Sequence, residues 1–201
     1  ARDVELGHGL PVELDAALGE HPARLRARAP EGRHDHLGQM HRVPVGRQRE
    51  LLDLVAIDSP TGHEEQIGRE LEARFTAVGC TVSKDAIGNL VAVLPGTRPD
   101  TVLLSTHMDT AGTDTGIRPI IEDGIIKTDG TTILGADDKS GIAGCLELLT
   151  ILESNPGVEH PTLEFVVSVG EESGLLGSRQ MDLSRLNSTY GFVLDTAGAI
   201  G

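Results

Sequence analysis

The chain has 201 residues, 38% hydrophobic and 2% aromatic, long enough for one domain with a substantial core. Seventeen Lys and Arg against 31 Asp and Glu leave a formal charge of −14, which argues against nucleic acid or an anionic membrane as partner, because both call for a basic face. No apolar run approaches the roughly 18 residues of a membrane span, the first residues lack an export-signal pattern, and Cys80 and Cys145 stand singly in apolar segments. A disulfide framework and a thiolate zinc site are therefore not expected, and the expected setting is cytoplasmic.

Residues 1–44 contain no Lys, Phe, Tyr or Trp but hold five of the eight histidines. With so few large apolar groups the segment cannot offset the entropy of ordering, so a loose or disordered extension is expected there. Its His34, His36 and His41 read as part of that tail rather than as a metal tract, since nothing nearby would hold the imidazoles in place.

From about residue 45 the texture changes to alternating helical and strand-like segments. Leu51, Leu52, Leu54 and Val55 give Arg47 to Ile57 helical spacing, ended by Asp58-Ser59-Pro60. Thr61-Gly-His-Glu64 has the form of a capping box opening a second helix that runs to about Val78, where Gly79 stops it. Thr81 to Lys84 and Ile87 to Leu94 read as a hairpin, Thr101 to Thr106 as a buried strand, and Ile117 to Ile121 with Ile125 to Thr128 as a second hairpin. A helix is expected from about Lys139 to Leu152, then a strand from Leu163 to Val169, a short helix near Leu176 to Met181 and a strand from Tyr190 to Leu194. Such alternation predicts an α/β three-layer sandwich with a mixed, largely parallel central sheet.

The acidic and imidazole groups fall at the ends of these elements. His107 and Asp109 follow one strand, Glu171 and Glu172 another, Asp195 a third, and Asp137 and Asp138 precede the long helix. In an open α/β sheet the crevice beyond the carboxyl ends of the strands is where ligands bind. Taken singly, each has a bland reading: a structural histidine, acids at a helix N-terminus, a solvated turn, a turn cap. Together they aim one imidazole and several carboxylates at one crevice, and crowded anions need a cation to be tolerated. An imidazole-carboxylate donor set suits Zn²⁺ and accepts Mn²⁺ or Co²⁺. An i, i+2 relation along a strand would also let Asp109 orient His107.

The segments Ser105-Thr-His-Met-Asp-Thr110, Leu134-Gly-Ala-Asp-Asp-Lys-Ser-Gly141, Gly170-Glu-Glu-Ser-Gly174 and Leu194-Asp-Thr-Ala-Gly198 resemble, in order and spacing, the metal-site motifs of the peptidase T group. That group is related to glutamate carboxypeptidase, aminoacylase, acetylornithine deacetylase and succinyl-diaminopimelate desuccinylase. The resemblance implies a two-zinc hydrolase of small peptides: His107 ligates one zinc, Asp137 bridges both, Glu172 ligates the other, and Asp195 joins the His107 zinc. It further implies that Asp109 orients His107, that Glu171 is the general base toward a metal-bridging water, and that a cis peptide follows Asp137.

By the same resemblance, residues 45–201 are the N-terminal part of the catalytic domain. A lid or dimerisation domain and a C-terminal part supplying a last histidine ligand are expected beyond Gly201, and a homodimer is expected only of the full-length form. His63 and His160 are poor substitutes for that ligand, so an open second-metal site and little activity are expected of these residues by themselves. Other readings remain: an N-acyl-amino-acid deacylase or carboxypeptidase with the same metal site, an inactive metal-binding fragment, and an acidic α/β domain without metal.

Overall fold

The computed structural model describes residues 45–195; the extension expected over 1–44 lies outside the described residues. In chain order the elements are α1 (Val45–Val55), α2 (Glu65–Ala77), β1 (Thr81–Lys84), β2 (Leu90–Leu94), β3 (Thr101–His107), β4 (Ile120–Glu122), β5 (Ile125–Lys127), α3 (Ala136–Ser154), β6 (Thr162–Ser168), α4 (Leu176–Gln180), a 3-10 turn (Leu183–Arg185) and β7 (Tyr190–Val193). The main sheet has the order β1-β2-β6-β3-β7, and β4 and β5 form a separate hairpin. β1, β2 and β6 pair antiparallel, whereas β6, β3 and β7 run parallel. The sheet is therefore mixed, and its parallel part carries the acidic segments.

Strand alternation decides which side chains enter the core. Leu163, Phe165 and Val167 of β6, Leu90 and Ala92 of β2 and Val102 of β3 share a cluster with Leu54 of α1, Ile67, Leu71 and Phe75 of α2, and Ile142, Leu146 and Leu149 of α3. Phe75 and Phe165 meet with ring centroids 5.4 Å apart. Fully burying such side chains contributes about 1.5–3 kcal/mol each. Both cysteines lie in this cluster, where burial pushes the Cys80 thiol up to about 11 and the Cys145 thiol up to about 12.

The opposite face is crossed by the segment around the 3-10 turn. Arg185 donates to Ser83 Oγ of β1, and the Glu164 carboxylate, buried mid-strand in β6, accepts from the main-chain N–H groups of Asn187 and Ser188 and from the Asn187 side chain. A buried carboxylate is tolerable only with such donors. The β7 edge is less covered: Phe192 and Val193 are exposed, as are Ile120, Ile121 and Ile125 of the β4–β5 hairpin. Among the described residues no helix is long and apolar enough to cross a membrane.

The register levels the strand ends. His107, the last residue of β3, lies beside Ser168, the last of β6, while Ser105 pairs with Val193, the last of β7. The carboxyl ends of three parallel strands thus form one rim.

Candidate metal centre

His107 closes β3 rather than following it, and its imidazole is 2% exposed. Nδ1 faces the Asp109 main-chain carbonyl at 3.0 Å and the Asp109 carboxylate at 3.3 Å. Asp109 lies two residues past the strand end, on an extension in which Met108 N still donates to the Ser168 carbonyl at 2.9 Å and Thr110 bridges Pro60. Nε2 points to Asp137 Oδ1 at 3.2 Å, with Glu171 Oε2 at 4.0 Å.

The acids come from three other segments. Glu171 and Glu172 follow β6, Asp195 follows β7, and Asp137 and Asp138 open α3 with non-helical dihedrals across a cis peptide. His107, Asp137 and Glu172 bring ligand-type atoms within 4.8 Å of one another, and so do His107, Glu171 and Asp195. The structure thus brings together every residue that the sequence singled out, with His107 common to both groups. His63 and His160 belong to neither group; His160 Nδ1 instead faces the Pro161 carbonyl at 2.9 Å.

Charge explains the titration pattern. Burial by itself pushes the His107 imidazole down, but the hydrogen bond and charge of Asp109, with the nearby Asp138 and Asp137, outweigh it and hold the group at about 9. Burial acts to raise the Asp109 carboxyl, yet bonds from His107, Thr61 and the N–H groups of Glu171 and Glu172 bring it below the usual range. Burial and then Asp137 raise Glu172. A positive charge at the centre of these acids is thus favoured even when a proton is what supplies it, and the donor set of one imidazole and several carboxylates fits a divalent cation.

Three residues have partners that the sequence reading did not give them. Asp138 is 2% exposed; Oδ1 accepts from the Gly141 N–H at 3.0 Å, Oδ2 has no partner among the described residues, and burial pushes the carboxyl up to about 6. A Cβ on Gly141 would collide with this carboxylate, so glycine at 141 is what admits the acid.

The other two are Thr61 and Glu64, read from the sequence as a capping box. No side chain caps α2. Thr61 Oγ1 instead donates to Asp109 Oδ2 at 2.7 Å, and Glu64 Oε1 accepts from the Gly170 N–H at 3.1 Å. A local pattern was overridden by partners 48 and 106 residues away, which no periodicity in the sequence signals. Behind them Lys139 is fully buried and donates Nζ to the Ile57 carbonyl at 2.6 Å, with burial pushing its ammonium down to about 8.

Fold and site together define an α/β domain with a histidine-carboxylate cluster at the carboxyl ends of parallel strands, where such sheets bind their ligands. Residues 89–199 match peptidase family M28, and the chain belongs to that family. It is 44% identical over 161 residues to the uncharacterized protein YqjE of Bacillus subtilis, covering 76% of this chain and 43% of that protein. Among solved structures it resembles the aminopeptidase PepT of Bacillus cereus with a TM-score of 0.73 and 41% identity. It also resembles a tripeptidase of Staphylococcus aureus with a TM-score of 0.73 and 36% identity, and each structure covers 76% of this chain. The chain spans 43% of the length of each of these relatives.

Proposed function

We propose that residues 45–201 form the metal-binding part of the catalytic domain of a two-zinc exopeptidase that removes N-terminal residues from small peptides. The observation that carries this reading is the convergence of Asp137, Glu171, Glu172 and Asp195, from three segments, on the buried imidazole of His107. His107, Asp137, Glu172 and Asp195 would hold the metal, with Asp137 shared between the two ions. Bound zinc supplies Lewis-acid charge for the scissile carbonyl and acidifies water.

The chain's own residues handle orientation and protons. Asp109 fixes the ring plane of His107 through Nδ1, leaving Nε2 directed at the acids. Glu171, partly exposed at the rim, takes the proton of the attacking water and passes it to the departing amine, a role that favours a carboxylate beside cations but not consumed by them. One observation favours a second reading: Glu171 groups with His107 and Asp195, so it stands where a ligand could.

Glu171→Gln separates the two readings. As the base, the variant keeps zinc affinity while turnover in the complete enzyme falls about 10²–10⁴-fold; a matching fall in zinc affinity assigns Glu171 to the metal instead. For the function as a whole, zinc titration by calorimetry is compared between wild type, His107→Ala and Asp137→Ala, beside an assay with tripeptides and their N-acylated forms. Binding lost in both variants, with the free tripeptide cleaved faster, is expected. Binding indifferent to both substitutions overturns the metal site, and preference for the acylated substrate transfers the reading to a deacylase.

A further inference from the structure

Three successive main-chain N–H groups follow β6, at Gly170, Glu171 and Glu172, and each ends on a carboxylate from elsewhere in the fold. Gly170 donates to Glu64 at 3.1 Å, Glu171 to Asp109 Oδ1 at 2.9 Å and Glu172 to Asp109 Oδ2 at 3.1 Å. The backbone that carries both rim glutamates is thus set by two buried acids, Asp109 at 0% and Glu64 at 9% exposure. Asp109 performs two tasks with one carboxylate, since Oδ1 also faces His107 Nδ1. The ring and the glutamate backbone thus share one carboxylate, with the Asp109 main-chain carbonyl at 3.0 Å as the other partner of Nδ1.

Beside His107 and the two N–H groups, one further donor holds the carboxylate: the Thr61 hydroxyl, 2.7 Å from Oδ2. The turn that presents it is built locally: the His63 N–H closes onto the Pro60 carbonyl, and Gly62 takes φ +86°, a conformation that favours glycine. That turn is docked against the same strand extension, because Thr110 N donates to the Ser59 carbonyl at 2.9 Å and Pro60 bridges Thr110. The Thr61 backbone is therefore held beside Asp109 by this contact.

We propose that Thr61 is a positioning residue of the metal centre: through Asp109 it locks the orientation of His107 and the main chain of Glu171 and Glu172 before any cation arrives. The inference rests on the metal-site reading above. Thr61 belongs to neither group of potential ligands, and its action is to preorganise residues that do.

The test uses the full 201-residue chain as wild type, Thr61→Val, which keeps the shape and removes the donor, and Thr61→Ser, which restores it. Amide hydrogen exchange at Glu171 and Glu172 is measured on metal-free protein by NMR, and zinc chloride affinity by calorimetry. Thr61→Val is expected to speed exchange at both amides about tenfold and to weaken zinc about tenfold or more, as loss of an outer-shell partner does, with Thr61→Ser close to wild type in both. Wild-type exchange and affinity in Thr61→Val, or losses that serine does not rescue, overturn the proposal. Thr61→Ala takes its place if the valine variant does not fold. Asp137→Ala is the control for the underlying reading: zinc binding that it leaves intact refutes the metal site, while the exchange rates still decide whether Thr61 holds the backbone.

Discussion

The candidate metal centre has a closed half and an open half, and they differ in how far the fold already satisfies them. Around Asp109 every carboxylate oxygen is engaged: Oδ1 by the Glu171 N–H and His107, Oδ2 by the Glu172 N–H and Thr61. The Asp137 side chain, by contrast, is 67% exposed and its contact is His107, and the neighbouring Glu172 is exposed as well. The closed half is a finished hydrogen-bond network. The open half gathers like charges at the rim, where a cation is the natural counterpart.

Three substitutions or additions break or sharpen that contrast. The largest effect is expected from Asp109→Ala in metal-free protein: a buried charge is removed and His107, Thr61 and two N–H groups lose their acceptor, which costs about 3–5 kcal/mol in urea unfolding. A loss below about 1 kcal/mol would mean that the closed half does not hold itself together. Next, zinc at a hundred times its dissociation constant should stabilise the wild-type chain by about 2.7 kcal/mol. In thermal melts that gain disappears with Asp137→Asn and with chelator; a gain that survives Asp137→Asn would move the metal away from the open half. The smallest effect is that of Asp137→Asn on the metal-free protein, within about 0.5 kcal/mol of wild type, because the group is exposed and its neighbours are mostly acids. A large destabilisation there would show that the open half is structural after all.

A second contrast runs across the sheet. β6 and β2 lie in its interior, with Phe165 and Leu90 fully enclosed, whereas β7 is an edge strand whose Val193 is 68% exposed. The site sits between these regimes, on the strand ends from β6 to β7. His107 and Asp109 take their precision from the well-packed side, and Asp195 follows the sparsely covered edge.

Much of this was legible in the sequence because it depends on local order. The apolar run of β3 and the helical spacing of α1 placed these elements to within a few residues. His107, Asp109, Asp137, Glu171, Glu172 and Asp195 were visible because each stands at the end of such an element, where an α/β sheet gathers function. Thr61 and Glu64 were misread for the opposite reason. Their spacing satisfies a local rule, and the competing partners are far away along the chain, where sequence gives no distance.

The sequence by itself determined the element order, the acidic rim and the donor chemistry, since periodicity, turn residues and side-chain type are properties of short segments. Only the tertiary structure decided that Asp109 fastens His107 to the Glu171–Glu172 backbone, that Thr61 fastens Asp109, and that Asp138 turns inward while Asp137 stays exposed. Those outcomes depend on which hydrogen-bonding groups are brought within about 3 Å once the core has closed, and a buried donor or acceptor takes whatever partner packing delivers.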